Sequence, residues 1–329
     1  MRAQIVGTGA AVPSRTLTNK DLERIVDTSD EWIRTRTGIR ERHIADTGDY
    51  LSQYGARAAR QALQRAEIDP DEVDLILCAT VTPDMITPAT ACFIQEQIGA
   101  RHAAGFDLSA GCSGFVYALA TGRVFIESGQ ARTVLVVGGE ILSRYINWED
   151  RSTCVLFADG AGAVVLRAGS GDAGILSARI HSDGSFAEFI TIAGGGSRYP
   201  ATMESVRDRV NTIKMRGNET FKVAVRSIEE VAREAIEGAG VAPSDIDVFI
   251  PHQANRRIID AVGQRLGIDK ERCYVNIDRM GNTSSGSIPI ALHEVVEAGG
   301  VSPGSIVLMA AFGAGLTWGG ALVRWGRQE

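Results

Sequence analysis

The chain repeats itself. Ala66-Glu67-Ile68-Asp69-Pro70-Asp71-Glu72-Val73-Asp74-Leu75-Ile76 returns as Ala239-Gly240-Val241-Ala242-Pro243-Ser244-Asp245-Ile246-Asp247-Val248-Phe249, an offset of 239 − 66 = 173 residues. Val134-Leu135-Val136-Val137 returns as Ile306-Val307-Leu308-Met309 at 306 − 134 = 172. Each block places turn punctuation before a continuous apolar run, the pattern of a buried strand. Chance likeness of such punctuation competes with duplication, and two blocks in order at nearly one offset weaken it. A duplicated chain divides into two similar halves, 1–172 and 173–329, meeting near Ala168-Gly169-Ser170-Gly171-Asp172-Ala173-Gly174. The same alignment sets Gly111-Cys112-Ser113 against Gly281-Asn282-Thr283 at offset 170. It therefore predicts Cys112 and Asn282 on equivalent strand-to-helix turns, face to face across a pseudo-two-fold axis.

Within each half, strand patterns alternate with helical ones. Runs at 73–79 and 133–139 read as buried strands, with helices over about 50–66 and 89–98. Asn19 is placed to cap a further helix, and Ala158–Gly162 reads as a turn. The result is an α/β sandwich whose sheets are expected to be buried and mostly parallel. At 329 residues, 44% of them hydrophobic, the chain can bury a large core. A net charge of −6 gives no global reason to bind nucleic acid or an anionic membrane. No apolar run approaches a membrane span, and Met1–Gly7 enters a strand pattern at once, leaving no room for a signal peptide. Five cysteines without a CxxC pair argue against a disulfide framework or structural zinc, and for a reducing cytoplasm.

Three turns carry candidate chemistry. In Ser109-Ala110-Gly111-Cys112-Ser113-Gly114-Phe115 a strand pattern ends and a helical one begins. A thiol there feels the partial positive charge of unpaired N–H groups, which favours thiolate. The competing reading is a small buried cysteine filling a tight turn. Pro251-His252-Gln253-Ala254-Asn255 follows the strand run 247–250, so His252 stands at a strand's C-terminal end, where open α/β sheets bind ligands. Gly281-Asn282-Thr283-Ser284-Ser285 follows a strand expected over Tyr274–Ile277. His43, His102, His181 and His293 lack such a setting and read as surface or structural.

With these turns in view, the chain resembles the thiolase superfamily, and within it the beta-ketoacyl-acyl-carrier-protein synthase III family. The likeness spans essentially the whole length. It rests on Gly7-Thr8-Gly9, Thr28-Ser29-Asp30-Glu31-Trp32-Ile33, Arg36–Arg42, Gly111–Phe115, Asp159–Ala163, Pro251–Asn255, Gly281–Ser284 and Ala311–Gly319, in the family's order. Elongating ketosynthases carry a second histidine where this chain has Asn282. The resemblance implies a five-layered αβαβα fold, a homodimer and a two-stage reaction. Cys112 takes an acyl group from acyl-CoA, with the backbone N–H groups of Cys112 and Ala314 holding the oxyanion. Malonyl on acyl-carrier protein then loses carbon dioxide, His252 and Asn282 stabilise the enolate, Phe312 lines the site, and condensation onto acyl-Cys112 follows. No metal or redox cofactor is expected; acyl-CoA is a substrate.

The resemblance also implies that Trp32 and Arg151 sandwich the CoA adenine, with Arg36 and Thr28 at the nucleotide end. Gly217, Asn218, Ala254 and Asn255 are expected along the pantetheine channel. Lys222, Arg256 and Arg257 are expected to steer an acidic carrier protein, while Arg226 and Arg265 read as solvated helix charges. Thr87 stands where several acetyl-using relatives carry a bulky aromatic, so the acyl pocket is expected to accept medium, longer or branched primers. A Cys…His…Asn order also echoes papain-like proteases, but their local cysteine signature is missing and the repeat has no place in that fold. Two further readings stay open: a condensing enzyme of secondary metabolism with another acceptor, and an inactive binding partner.

Overall fold

The structure, a computed structural model, describes residues 1–326, with nothing described for the side chain of Asn218. Five strands build the first sheet: β1 (Arg2–Ala11), β2 (Leu75–Ala79), β3 (Ala104–Leu108), β4 (Thr133–Ile141) and β5 (Asp159–Gly169), in spatial order β1-β5-β4-β2-β3. Four build the second: β6 (Gly174–Ser182), β7 (Val248–Pro251), β8 (Ile306–Gly313) and β9 (Thr317–Arg324), in order β7-β8-β9-β6. The principal helices are α1 (Asp30–Thr37), α2 (Leu51–Arg65), α3 (Thr90–Ile98), α4 (Gly114–Glu127), α5 (Gly217–Ala239), α6 (Arg256–Leu266) and α7 (Ser287–Glu297).

Alternation along the strands dictates the layering. In β4, Val134 and Val136 face one core while Leu135 and Val137 face another. In β8, Val307, Met309 and Ala311 join that first core, whereas Ile306, Leu308 and Ala310 belong to a third. The shared core lies between the sheets and is filled by Phe115 and Leu119 of α4 and Ile288 and Leu292 of α7. Helices α2 and α3 cover the outer face of the first sheet, and α5 and α6 cover the second. The architecture is the expected five-layered αβαβα sandwich. Close packing explains Gly7 and Gly9: a Cβ on either would sit 2.1 Å from a carbonyl oxygen of α2.

Four expectations need correction. The sheets are mixed: β2 pairs parallel with β3 and β4, and β7 with β8, but β1–β5, β4–β5, β8–β9 and β9–β6 are antiparallel. Burial on both faces makes any strand read as continuously apolar, whatever its direction, and the β8–β9 link is too short for a crossover. The helix at Asn19–Leu22 is capped by the Thr18 side chain, in a capping box with Asp21. Asn19 is instead buried, accepting from the buried Arg42 guanidinium at 2.9 Å. Ala158–Gly162 is no turn; Asp159–Gly162 opens β5. Tyr274–Ile277 forms no strand either, with only Cys273 bridging to Phe249.

Candidate active site

Cys112 lies in a 3-10 turn, Gly111–Ser113, that runs straight into α4. Gly111 has φ +55°, and a Cβ there would sit 2.6 Å from the Ala314 nitrogen. A Cβ on Gly313 would sit 2.4 Å from the Cys112 nitrogen. The Gly313–Ala314 backbone therefore presses on the Cys112 turn, bringing the N–H groups of Cys112 and Ala314 to one place. No backbone carbonyl accepts from the Ala314 N–H among the described residues.

His252 follows β7 with its backbone N–H donated to Ala310 O at 2.8 Å. Its Nδ1 lies 2.6 Å from Ser287 Oγ, which also accepts from the Gln253 N–H at 3.3 Å. With the imidazole neutral, the serine hydroxyl proton is free to go to Nδ1, which leaves the ring proton on Nε2. Burial pushes the imidazole down from 6.5 to about 3, so it is neutral at physiological pH. Asn282 Oδ1 accepts from the Ser284 N–H at 2.9 Å, and its backbone is pinned by Ala158 and Leu156 at 2.9 and 3.0 Å. What Asn282 has left to offer is its NH2 group.

Cys112, His252, Asn282 and Phe312 line one cavity of about 120 Å³. A second cavity, of about 520 Å³, begins at Cys112 and Ala314 and runs between Leu142, Phe157, Ile190 and Ile213. The thiol stands where the two cavities meet, the smaller one closed by apolar side chains such as Leu156, Phe221 and Ile258 around His252 and Asn282. The thiol's helix-terminal position was expected to favour thiolate. Burial wins here and pushes the thiol up to about 11, with the Ser284 hydroxyl pulling it down and the Glu140 carboxylate adding to the rise.

Gly217, Ala254 and Asn255 line the cavity that holds the triad. Asn218 is named in that set, but its side chain lies outside the described residues. The guanidinium carbons of Arg151 and Arg36 lie 4.8 and 5.2 Å from the Trp32 ring centroid, and the buried Thr28 Oγ1 has no partner. At that spacing Arg151 stacks directly on Trp32, so an adenine enters the expected sandwich only if the arginine swings out. Lys222 and Arg257 are exposed, the latter over the Phe221 ring that lines the triad cavity. Arg256 is tied to Asp260 at 2.8 Å, and Arg265 to Glu229 at 3.1 Å. Thr87 is exposed and does not line the larger cavity of the single chain, whereas its neighbour Ile86 does. Sequence reasoning missed Ser287, Ser284 and Glu140. Only Glu140 left a signal, a lone charge in the otherwise uncharged run Thr133–Ile141.

Comparison with known proteins places this arrangement. Residues 106–184 match the family model for 3-oxoacyl-[acyl-carrier-protein] synthase III, and residues 236–325 match the model for its C-terminal region. The beta-ketoacyl-[acyl-carrier-protein] synthase III of Desulfitobacterium hafniense is 50% identical over 324 residues, covering 98% of each chain. The crystal structure of the Aquifex aeolicus synthase III is 50% identical with TM-score 0.92, covering 98% of this chain and 100% of that one. The priming beta-ketosynthase of the R1128 polyketide pathway is 37% identical with TM-score 0.92, covering 99% and 97%. With Cys112, His252 and Asn282 in one cavity of a five-layered fold, the chain belongs to the beta-ketoacyl-acyl-carrier-protein synthase III family of condensing enzymes.

Proposed function

We propose that this enzyme starts fatty acid synthesis by condensing an acyl-CoA primer with malonyl on acyl-carrier protein through an acyl-Cys112 intermediate. The observation that carries the reading is the meeting of Cys112, neutral His252 and Asn282 in one cavity, the last two with an Nε2–H and an NH2 group left to donate. In the first stage Cys112 sulfur attacks the primer's thioester carbonyl, and the N–H groups of Cys112 and Ala314 receive the oxyanion. Coenzyme A departs as thiolate. In the second stage the malonyl carboxylate leaves as carbon dioxide, and the electron pair moves into an enolate. Neutral His252 donates from Nε2 and Asn282 from its NH2 group to that enolate oxygen. An ionised histidine or a carboxylate in either place would protonate or repel the enolate. Its carbon attacks acyl-Cys112, and the thiolate leaves.

The larger cavity, where it runs between Leu142, Phe157, Ile190 and Ile213, is the natural place for the acyl chain, and Trp32, Arg36, Arg151 and Thr28 form the nucleotide end. Lys222 and Arg257 flank the channel mouth for an acidic carrier protein. Homodimerisation is supported by β3, the outermost strand of its sheet, where Phe106 is 39% exposed and Ile86 nearby 88%. An unpaired edge beside exposed apolar side chains is the surface a second copy of the sheet would cover. Thr87 on that surface would then reach the partner's acyl cavity, and its small side chain leaves room for longer or branched primers.

Intact-mass spectrometry with acyl-CoAs of graded length tests the proposal, using Cys112→Ala as control. One acyl group gained by the native protein, absent from the control and discharged by malonyl-carrier protein, is the expected result. Loading without discharge by malonyl-carrier protein would point to the acceptor of a secondary pathway. No loading with any primer would overturn the reading.

A further inference from the structure

Arg42 is a fully buried cation to which the mechanism above gives no task. It lies on the short strand Glu41–His43, which pairs with Thr16–Thr18. Its Nη1 donates to Leu17 O at 3.0 Å and to Asn19 Oδ1 at 2.9 Å, and its Nη2 to Val155 O at 2.9 Å. None of these acceptors is a carboxylate, and Nε has no partner among the described residues. Burial pulls the guanidinium down to about 10, which leaves it charged near neutral pH. A buried charge without a counter-ion is costly, and packing alone would be better served by an apolar side chain. What the charge secures is three acceptors on separate segments of chain.

Two of its contacts converge on Asn282. Val155 ends the short helix Arg151–Cys154 and leads into Leu156–Ala158. Leu156 O accepts from the Asn282 N–H at 3.0 Å, and the Ala158 N–H donates to Asn282 O at 2.9 Å. On the other flank Gly281 has φ +66°, and a Cβ there would sit 2.9 Å from Arg42 Cβ and 2.9 Å from Ala158 Cβ. The guanidinium thus fixes the segment that grips the Asn282 backbone, while the arginine stem packs against the residue before it. Asn19, the remaining side-chain partner, donates to Asp30 Oδ1 at 2.9 Å and Ile39 O at 2.8 Å, which anchors Arg42 to α1.

We propose that Arg42 is a positioning residue for the enolate donor: by holding Val155 and packing against Gly281, it sets where the Asn282 amide stands. Arg42 touches no reacting atom and acts through Asn282 alone. Cys112 belongs to the turn that opens α4 and is pressed by Gly313 and Ala314, to none of which Arg42 gives a hydrogen bond. Decarboxylation therefore depends on Arg42, and acyl loading far less.

The inference rests on the two-stage reaction proposed above, and one experiment separates the two. Loading of Cys112 at saturating acyl-CoA and kcat for malonyl-carrier protein decarboxylation are measured for the native protein, Arg42→Met, Arg42→Lys, Asn282→Ala and Arg42→Met combined with Asn282→Ala. Methionine keeps an unbranched stem and removes every donor. Arg42→Met should lose about ten- to a hundredfold in decarboxylation, the cost of a group misplaced by about 1 Å. Loading should stay within about threefold of native, a sub-kcal/mol change. Arg42→Lys should fall in between, because a single ammonium cannot span Asn19 and Val155 as the planar fork does. In the Asn282→Ala background Arg42→Met should cost less than about threefold more, since nothing is left to position.

Full additivity of the two substitutions would overturn the proposal. So would native-like decarboxylation by either Arg42 variant, or an equal fall of loading and decarboxylation, the mark of a merely structural role. Should Arg42→Met fail to fold, Arg42→Lys takes its place in the cycle with Asn282→Ala, under the same expected and overturning results. A native protein that takes up no acyl group, or Asn282→Ala that decarboxylates like native, would instead sink the two-stage reading, and the inference with it.

Discussion

The two 3-10 turns that open α4 and α7 share a backbone and differ in what they do. Gly111 with φ +55° corresponds to Ser284 with φ +51°, at 284 − 111 = 173. The 3-10 turn Gly111–Ser113 corresponds to Ser284–Gly286, and α4 from Gly114 to α7 from Ser287, at the same offset. The structural counterpart of Cys112 is therefore Ser285, and Asn282 enters the site from three residues upstream. This corrects the pairing at offset 170. The neighbouring strand ends decide the outcome: Gly313 beside the first turn corresponds to Glu140 beside the second, at 313 − 140 = 173. Gly313 leaves the Cys112 N–H uncovered, whereas Glu140 reaches Ser284 and Ser285 and fills the equivalent space. Ser285 is buried, bonded to Ala79 O and Gly139 O at 2.9 and 3.2 Å. In the proposed mechanism one turn carries the nucleophile, whereas the other is a wall, and the largest difference between them is Gly against Glu at one strand end.

The largest effect comes from exchanging the nucleophiles. Cys112→Ala is expected to abolish acyl loading, and adding Ser285→Cys should not restore it, because position 285 opens on neither cavity. Intact mass after incubation with acyl-CoA reads both outcomes. An adduct on a cysteine at 285 would show that the two turns are interchangeable, and the comparison would fail.

Gly313→Ala makes the strand ends more alike. Its methyl group would meet the Cys112 nitrogen at 2.4 Å, so the oxyanion donor must shift. Loss of one such donor costs about 10²–10³ in rate. Single-turnover acylation should fall by that order. A loss of less than about threefold would show that the Cys112 N–H does not hold the oxyanion.

Much of this was legible in the sequence, for identifiable reasons. Duplication showed because buried strands keep their apolar runs, and the layered α/β class followed from their alternation with helices. Strand direction was not legible, since β4 and β5 are buried on both faces and antiparallel all the same. Cys112, His252 and Asn282 stood out because a side chain capable of such chemistry is conspicuous in a turn of small residues. Ser284 and Ser287 did not, because a hydroxyl that orients a neighbour looks like any turn serine. The correct offset through the turns depended on a positive φ shared by a glycine and a serine, which composition does not reveal.

His252 and Asn282 sharpen the contrast by belonging to the second half only. Replacing either by Ala should lower malonyl decarboxylation by about 10²-fold, the low end for a lost donor, while acyl loading changes far less. Equal loss of both half-reactions would refute the division. His252 also leaves a mark on stability. Its folded value of about 3 lies below the ordinary 6.5, so between those values the unfolded chain binds a proton that the native chain does not. Stability therefore falls as pH drops below about 6.5. In His252→Gln that fall should be shallower, as read by denaturant unfolding at a series of pH values.

The smallest catalytic effect belongs to Ser285→Ala, at the position equivalent to the nucleophile. The serine hydroxyl links Glu140 to the ends of β2 and β4, and removing it leaves buried acceptors short of a donor. A loss of about 1–3 kcal/mol of stability follows from unsatisfied buried groups of this kind. Acyl loading should stay within about threefold of native, the span of a sub-kcal/mol change, because position 285 lines neither cavity at the thiol. Unfolding and single-turnover loading, measured on one preparation, separate these effects. A large loss of loading with stability intact would mean that the second turn shares in the chemistry, and that the duplicated turns differ less than their strand ends suggest.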